Sequence, residues 1–291
     1  MSAPGKTPRR PGTEAVARKG WFAAHRWLLL RRVCQLAILA LFLAGPWFGV
    51  WIVKGNLTSS LTFDVLPLTD PYVFLQILAA GFLPAATACI GALIVLAFYL
   101  IVGGRVFCAW VCPVNMITDT AAWCRRRLDI KANHPPSSMT RYWFLAGTFV
   151  LAFVSGALAW EWLNPVAIAH RGLIFGMGAG VYFLVAVFIY DLLLTQRGWC
   201  GHLCPMGALY SLLGKFALLR VAAPKRAACN DCMDCFAVCP EPQIIRPALK
   251  RVGQDSPVIF DSLCTTCGRC IDVCGQKVFR FTHRFDSGSS S

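Results

Sequence analysis

Four apolar stretches divide the first two thirds of the chain. Val33 to Val53 runs for 21 residues without Asp, Glu, Lys or Arg. That length matches the roughly 20 residues needed to cross about 30 Å of hydrocarbon. Trp47 and Trp51 near its far end suit an interfacial aromatic belt. A polar loop, 54–71, precedes the uncharged stretch Tyr72 to Val102, which Gly81 and Pro84 interrupt. Its first part reads as an interfacial or tilted lead-in and 82–102 as a second span. A third span is predicted from Tyr142 to Trp160 and a fourth from Gly172 to Tyr190. Residues 205–219 are apolar with a helical look, and either lie along a membrane surface or pack under the spans.

Positive charge orients these spans. Lys plus Arg number eight before the first span, one in the first outer loop, six between spans two and three, one between spans three and four, and twelve from Asp191 on. The positive-inside rule places both termini and the middle loop in the cytoplasm of a bacterial inner membrane. The same placement explains the net charge of +14 without nucleic acid as a partner. Only 14% of residues are charged, 57% are hydrophobic, and mean hydropathy is +0.57. Arg31-Arg32 before an apolar run has a twin-arginine look, but the run lacks a small-residue cleavage site and reads as an anchor with cytoplasmic flanks.

The polar C-terminal part carries the chemistry. Cys229-x2-Cys232-x2-Cys235-x3-Cys239-Pro240 is followed by Cys264-x2-Cys267-x2-Cys270-x3-Cys274. Each run has the ligand spacing of a bacterial [4Fe-4S] ferredoxin, in which the fourth cysteine serves the other cluster. The expected sets are Cys229, Cys232, Cys235 and Cys274 for one cluster, and Cys264, Cys267, Cys270 and Cys239 for the second. Zinc also binds thiolate pairs at this spacing, but its sites close with four ligands. Disulfide staples fit the spacing less well, and eight cluster cysteines imply loading in a reducing compartment.

An internal repeat supplies four further cysteines. Span two ends in GGRVFCAWVCPVN and span four in TQRGWCGHLCPMG, giving Cys108-x3-Cys112-Pro113 and Cys200-x3-Cys204-Pro205. Both hairpins enter and leave on one side, so the repeat is parallel. If helical, each pair presents two thiols on one face. The four together suit an additional all-thiolate redox or metal site; separately, they suit packing at helix ends. Cys34, Cys89 and Cys124 read as core or interface residues, and His25, His134 and His283 carry no signal.

The segments GWFAAHRWLLLRRVCQ, GPWFGVWI, SLTFDVLPLTDP, GRVFCAWVCPVNMITD, WEWLNPV, GWCGHLCPMGALYSLLG, CNDCMDCFAVCPEP and CTTCGRCIDVC resemble the NapH/MauN family of ferredoxin-type membrane proteins. NosR and the FixG/RdxA-like proteins are more distant kin. The likeness covers about residues 20–285, and Gly275 stands where proline often follows the fourth cysteine. The resemblance implies a quinol dehydrogenase component that takes electrons from menaquinol or ubiquinol. It also implies a NapG-like periplasmic iron–sulfur partner, with a NapC-like cytochrome or nitrate reductase beyond. The alternative it carries is a redox factor for maturation of a partner metalloenzyme; a plain scaffold for a soluble redox partner is a third reading.

The expected architecture is integral membrane α-helical, with four transmembrane helices in two parallel hairpin repeats, plus a small α+β 2[4Fe-4S] ferredoxin domain. Its parts are a basic segment (1–32), a membrane domain (33–196), the second cysteine motif with a membrane-surface segment (197–224), the ferredoxin domain (225–285) and a disordered tail (286–291). Quinol oxidation releases protons, so its site needs a titratable or hydrogen-bonding group near the membrane. Outer-side candidates are Asp64, Asp70, Glu161, Asn164 and His170; inner-side candidates are Asp119, Asp191 and His202. The clusters lie inside, the implied acceptor lies outside, and the cysteines offer no relay through the middle of the bilayer.

Overall fold

A computed structural model describes residues 10–130, 133–176 and 178–286. The ends at 1–9 and 287–291, expected to be disordered, lie outside the described residues. Helix α1 spans Thr13–Lys19 and α2 spans Trp21–Phe48. The first apolar run thus begins inside a longer helix that already contains Arg26, Arg31 and Arg32. Arginine is a good helix former, so hydropathy marks where the helix turns apolar rather than where it starts. Gly49, at φ 73°, closes α2: its N–H donates to the Gly45 carbonyl and the Val50 N–H to that of Ala44.

The polar loop after α2 is a sheet. Strands β1 (Val53–Gly55), β2 (Ser59–Thr62) and β3 (Leu66–Thr69) are antiparallel in that order. The turn between β2 and β3 places Phe63 and Asp64 at positive φ, a role usually taken by Asn-Gly, so the sequence does not advertise it. Strand β3 returns along α4 (Ala86–Val102) and delivers Asp70 to the start of α3 (Pro71–Ala79). There the Asp70 side chain accepts the Tyr72 amide at 2.9 Å, an N-cap with proline at the first helical position.

Helices α5 (Val106–Trp110) and α6 (Val114–Arg127) complete the first repeat. The second runs through α7 (Thr140–Ser155), α8 (Ala159–Leu163), α9 (Pro165–Phe175), α10 (Gly180–Ile189) and α11 (Pro205–Gly214). Wide helical turns at Tyr190–Leu194 and Trp199–Leu203 connect α10 to α11. The repeat extends further than the cysteines. Asn164 caps α9 as Asp70 caps α3, again followed by proline. Helix α2 packs on α9 and α7 packs on α3, so each half seats its long helix on the other half's capped helix.

Of the described helices, α2 alone is long and apolar enough to cross a membrane. The expected second, third and fourth spans are shorter as helices. Helix α4 starts only after Pro84, Gly156 ends α7 in the left-handed region, and Gly176 and Gly178 interrupt the fourth stretch. The outward faces of α2, α4, α7 and α10 carry large apolar side chains, among them Phe48, Phe98, Phe153 and Tyr182. Helix α11 buries seven of its ten residues against α7 and α4. Packing under the helices, one of the two expectations for this segment, is what α11 does.

The C-terminal part is α+β. Strands β4 (Leu219–Ala222) and β5 (Arg280–His283) pair antiparallel and bracket α12 (Asp234–Val238), α13 (Ile245–Lys250) and α14 (Arg269–Val273). Their core is Val221, Ile244, Ile245, Ile259 and Val278. Helix α14 docks on α2. A Cβ at Gly268 would stand 2.5 Å from Trp27 Cγ, so only glycine lets the two approach. Asp272 on α14 accepts the amides of Trp27 and Leu28.

Candidate iron–sulfur site

The two ferredoxin runs cross over in space. Cys229, Cys232 and Cys235 line one small pocket with Cys274. Cys264, Cys267 and Cys270 line another with Cys239. The short helices explain the exchange. Helix α12 lies between Cys235 and Cys239 and carries the chain away from its own loop, and α14 does the same between Cys270 and Cys274. Each begins after a left-handed residue, Met233 or Gly268. Among the described residues, no three His, Cys, Asp or Glu side chains close tightly enough to hold a single metal ion. The sulfurs surround a space instead, which fits the corners of a cubane better than the tight tetrahedron of zinc.

The environment of the second quartet is strongly positive. Asp119 on α6 meets Arg32 at 2.5 Å, Arg269 at 2.7 Å, Arg197 at 3.0 Å and Arg31 at 3.6 Å. Burial works against its charge, but these cations hold the carboxyl well below the usual range. Arg269 also donates to Cys267 Sγ at 3.5 Å. Burial opposes ionisation of Cys267, yet Arg269 and Arg31 bring that thiol down to about 7. Its neighbours move the other way: burial pushes Cys264 up to about 11 and Cys235, in the first quartet, up to about 12. One of the eight thiols is thus poised as thiolate by its surroundings.

The repeated cysteines form a third group. Cys112 is buried and Cys108, Cys200 and Cys204 are half-buried, and every pair among them lies within electrostatic reach. Burial pushes all four upward, Cys204 to about 12. They do not sit on one continuous helix face as expected. In each repeat the first cysteine lies in a single helical turn and the second just beyond it. The second cysteine's amide bonds five residues back, Cys112 to Phe107 and Cys204 to Trp199. Pro113 and Pro205 cannot extend that turn, so a new helix begins.

An arginine precedes each pair by three residues, Arg105 and Arg197; Arg105 bonds the ferredoxin part directly, and Arg197 meets it through Asp119 on α6. Arg105 donates to Glu241 Oε1 at 3.2 Å, to the Leu263 carbonyl at 3.1 Å and to the Cys200 carbonyl at 3.1 Å. Arg141 shares the same Glu241 oxygen. Trp110 donates to the Thr266 carbonyl. Arg197 joins Arg269 on Asp119. From the sequence Arg105 and Arg197 stand out only as topology charges; their matched place before each Cys-x3-Cys-Pro is the available signal.

Comparisons with known proteins match this layout. A family described as a 4Fe-4S binding domain matches residues 84–131 and 176–225, one cysteine pair in each. A 4Fe-4S dicluster domain family matches residues 228–278. Over 284 residues the chain is 50% identical to the ferredoxin-type protein NapH of Escherichia coli, covering 97% of this chain and 98% of that one. Over 271 residues it is 51% identical to the methylamine utilization ferredoxin-type protein MauN of Methylorubrum extorquens, covering 93% and 94%. The chain belongs to the NapH/MauN family of ferredoxin-type proteins. It is an iron–sulfur electron-transfer protein. Identity does not separate the NapH branch from the MauN branch, since NapH of Haemophilus influenzae is 48% identical over 96% of the chain. No solved structure matches.

For a member of this family the polar candidates fall in unequal places. Asp64 is exposed and paired with Lys54. Asn164 caps α9 and its amide faces Glu161 at 3.5 Å. His170 lies edge-on to Phe42 at 5.3 Å. Asp191 accepts the Trp199 amide and ties the two wide turns together. His202 lies in the second wide turn. Asp70 departs most from expectation. It was grouped with the outer loop, but β3 carries it inward to Tyr210 on α11, whose hydroxyl donates to Asp70 Oδ1 at 2.6 Å. Its Oδ2 is buried without a hydrogen-bond partner among the described residues. Asp70 also lies within electrostatic reach of Cys108. Cys34, Cys89 and Cys124 join none of the three cysteine groups.

Proposed function

We propose that the chain is the membrane-embedded quinol dehydrogenase component of a periplasmic reductase system, passing electrons from menaquinol or ubiquinol toward nitrate reductase with a NapG-like partner. The observation that carries this reading is the alignment of three cysteine groups across one interface, with Asp70 beside the innermost group. In this reading Cys229, Cys232, Cys235 and Cys274 hold one [4Fe-4S] cluster, and Cys264, Cys267, Cys270 and Cys239 hold the other. Cys108, Cys112, Cys200 and Cys204 hold a third iron–sulfur centre, supported by the 4Fe-4S family match on both repeats. The clusters, when bound, accept and release single electrons.

The residues of the chain supply the rest. Oxidation of one quinol yields a quinone, two electrons and two protons. Asp70 accepts a proton: its buried position, its unpaired oxygen and its nearness to Cys108 support that role over the other candidates. Arg105 bridges the repeat cysteines to the loop before Cys264. Four spans with both termini cytoplasmic are supported by the exposed apolar faces of α2, α4, α7 and α10 and by the distribution of Lys and Arg. The inward return of Asp70 eases part of the geometric difficulty, because a quinol head beside α3 then stands close to the cysteines. A NapC-like cytochrome serves as a further recipient.

Anaerobic purification, addition of a reduced quinol analogue and electron paramagnetic resonance test the reading. Cluster signals appear on reduction of the wild-type protein, and the rate falls about 100-fold in Asp70→Asn with iron content unchanged. Intact clusters that no quinol reduces would favour a second reading, reductive maturation of a partner metalloenzyme. That alternative is drawn from the relatives named MauN, to which the chain is as similar as to NapH.

A further inference from the structure

A cavity of about 980 Å³ lies where α2, α6 and α14 meet, away from the three cysteine groups' interiors. Among the described residues it is lined by eight arginines and three aspartates. Asp119 is already shared by four of those arginines. Arg31 and Arg197 are 1% and 5% exposed, yet Nε and Nη1 of each lack a hydrogen-bond partner among the described residues. Both guanidinium groups lie within electrostatic reach of Cys267, but among the described residues their Nε and Nη1 donate no hydrogen bond to its sulfur. Arg126 and Arg127 stand at the rim, and neither makes an ion pair among the described residues; Arg127 stacks over Trp123 at 4.9 Å. The single carboxylate of Asp119 balances one of the four charges gathered on it, and the forked donors left over match phosphate oxygens.

We propose that this cavity binds a phosphate-bearing anion, held by Arg31 and Arg197 inside and by Arg126 and Arg127 at the rim. Two sources carry that chemistry, the headgroup of an anionic phospholipid and a free phosphate compound. The half-exposed Trp123 at the mouth favours the headgroup, because basic pockets between membrane helices on the cytoplasmic side recognise such lipids and tryptophan settles at the interface. The lipid source rests on the membrane reading above; recognition of the phosphate itself does not.

The test uses the full-length, cluster-loaded protein in detergent. Native mass spectrometry measures retention of phosphatidylglycerol against phosphatidylcholine, and calorimetry measures binding of inorganic pyrophosphate. Wild-type protein retains phosphatidylglycerol selectively, pyrophosphate displaces it, and Arg126→Gln/Arg127→Gln weakens both roughly thirtyfold. Arg126→Lys/Arg127→Lys restores part of the loss. Pyrophosphate binding without lipid selectivity keeps the site and assigns it to the free compound. Absence of both, binding that the Gln variant leaves unchanged, or capture of acidic peptides in place of either anion would overturn the proposal.

Discussion

Asp119 carries four guanidinium groups, and the balance between them sets the chemistry of Cys267. Replacing it with Asn removes the only carboxylate they share among the described residues and leaves three buried cations and the half-buried Arg32 facing one another. Loss of one partner from a buried ionic group costs about 3–5 kcal/mol, so Asp119→Asn is expected to lower the thermal unfolding temperature in detergent. A folded-state carboxyl held low contributes stability above its unfolded value and loses it only as pH falls below about 4. Asp119 therefore adds no slope near neutral pH. Asp70 has the opposite sign. Burial outweighs its bonds to Tyr210 and Tyr72 and lifts it to about 6. Between about pH 4 and 6 the folded chain keeps a proton that the unfolded chain has released, so stability falls as pH rises through that window. Asp70→Asn is expected to flatten that fall, read as Tm against pH. Neither role was legible in the sequence. Asp119 stands in the sequence as one of three inner-side candidates without a partner, and Asp70 stands with the first outer loop because nothing local reveals that β3 brings it against Tyr210.

At the scale of elements, close backbone approaches hold the repeats and the ferredoxin part together. Gly104 lies just after α4, and a Cβ there would overlap the Tyr210 carbonyl and the Gly214 amide of α11. Gly104→Ala is expected to cost about 1–3 kcal/mol as an overpacking change, visible as earlier unfolding and as loss of the Tyr210 to Asp70 bond. The apolar stretches located the long helices, because hydropathy reports what a face meets. It did not report their ends, which Pro84, Gly49 and Gly156 decide through dihedral angles and missing donors. The repeat was legible from its cysteines and prolines. Its other members, Asp70-Pro71 with Asn164-Pro165 and Arg105 with Arg197, use common residue types and stand out only once the caps and ion pairs are seen.

Across the whole molecule, the first repeat grips the ferredoxin part through Arg105 and Trp110, the second through Arg141, and helix α2 through Trp27. The second quartet therefore lies between the two repeats and the first quartet. The crossing of the two runs was readable from spacing alone, since the ligand order of a dicluster ferredoxin dictates it. The convergence of the other four cysteines was not, because residues 92 apart in sequence meet only through the pairing of the two halves. The decisive measurement is iron and acid-labile sulfide per chain, with Mössbauer spectra, on oxygen-protected wild-type protein and on Cys108→Ser/Cys200→Ser. Three cysteine-held centres give about twelve irons in the wild type and about eight in the variant, with the two ferredoxin spectra retained. Equal counts of about eight would remove the third centre, and a wild-type protein free of iron or holding only zinc would contradict the reading as a whole.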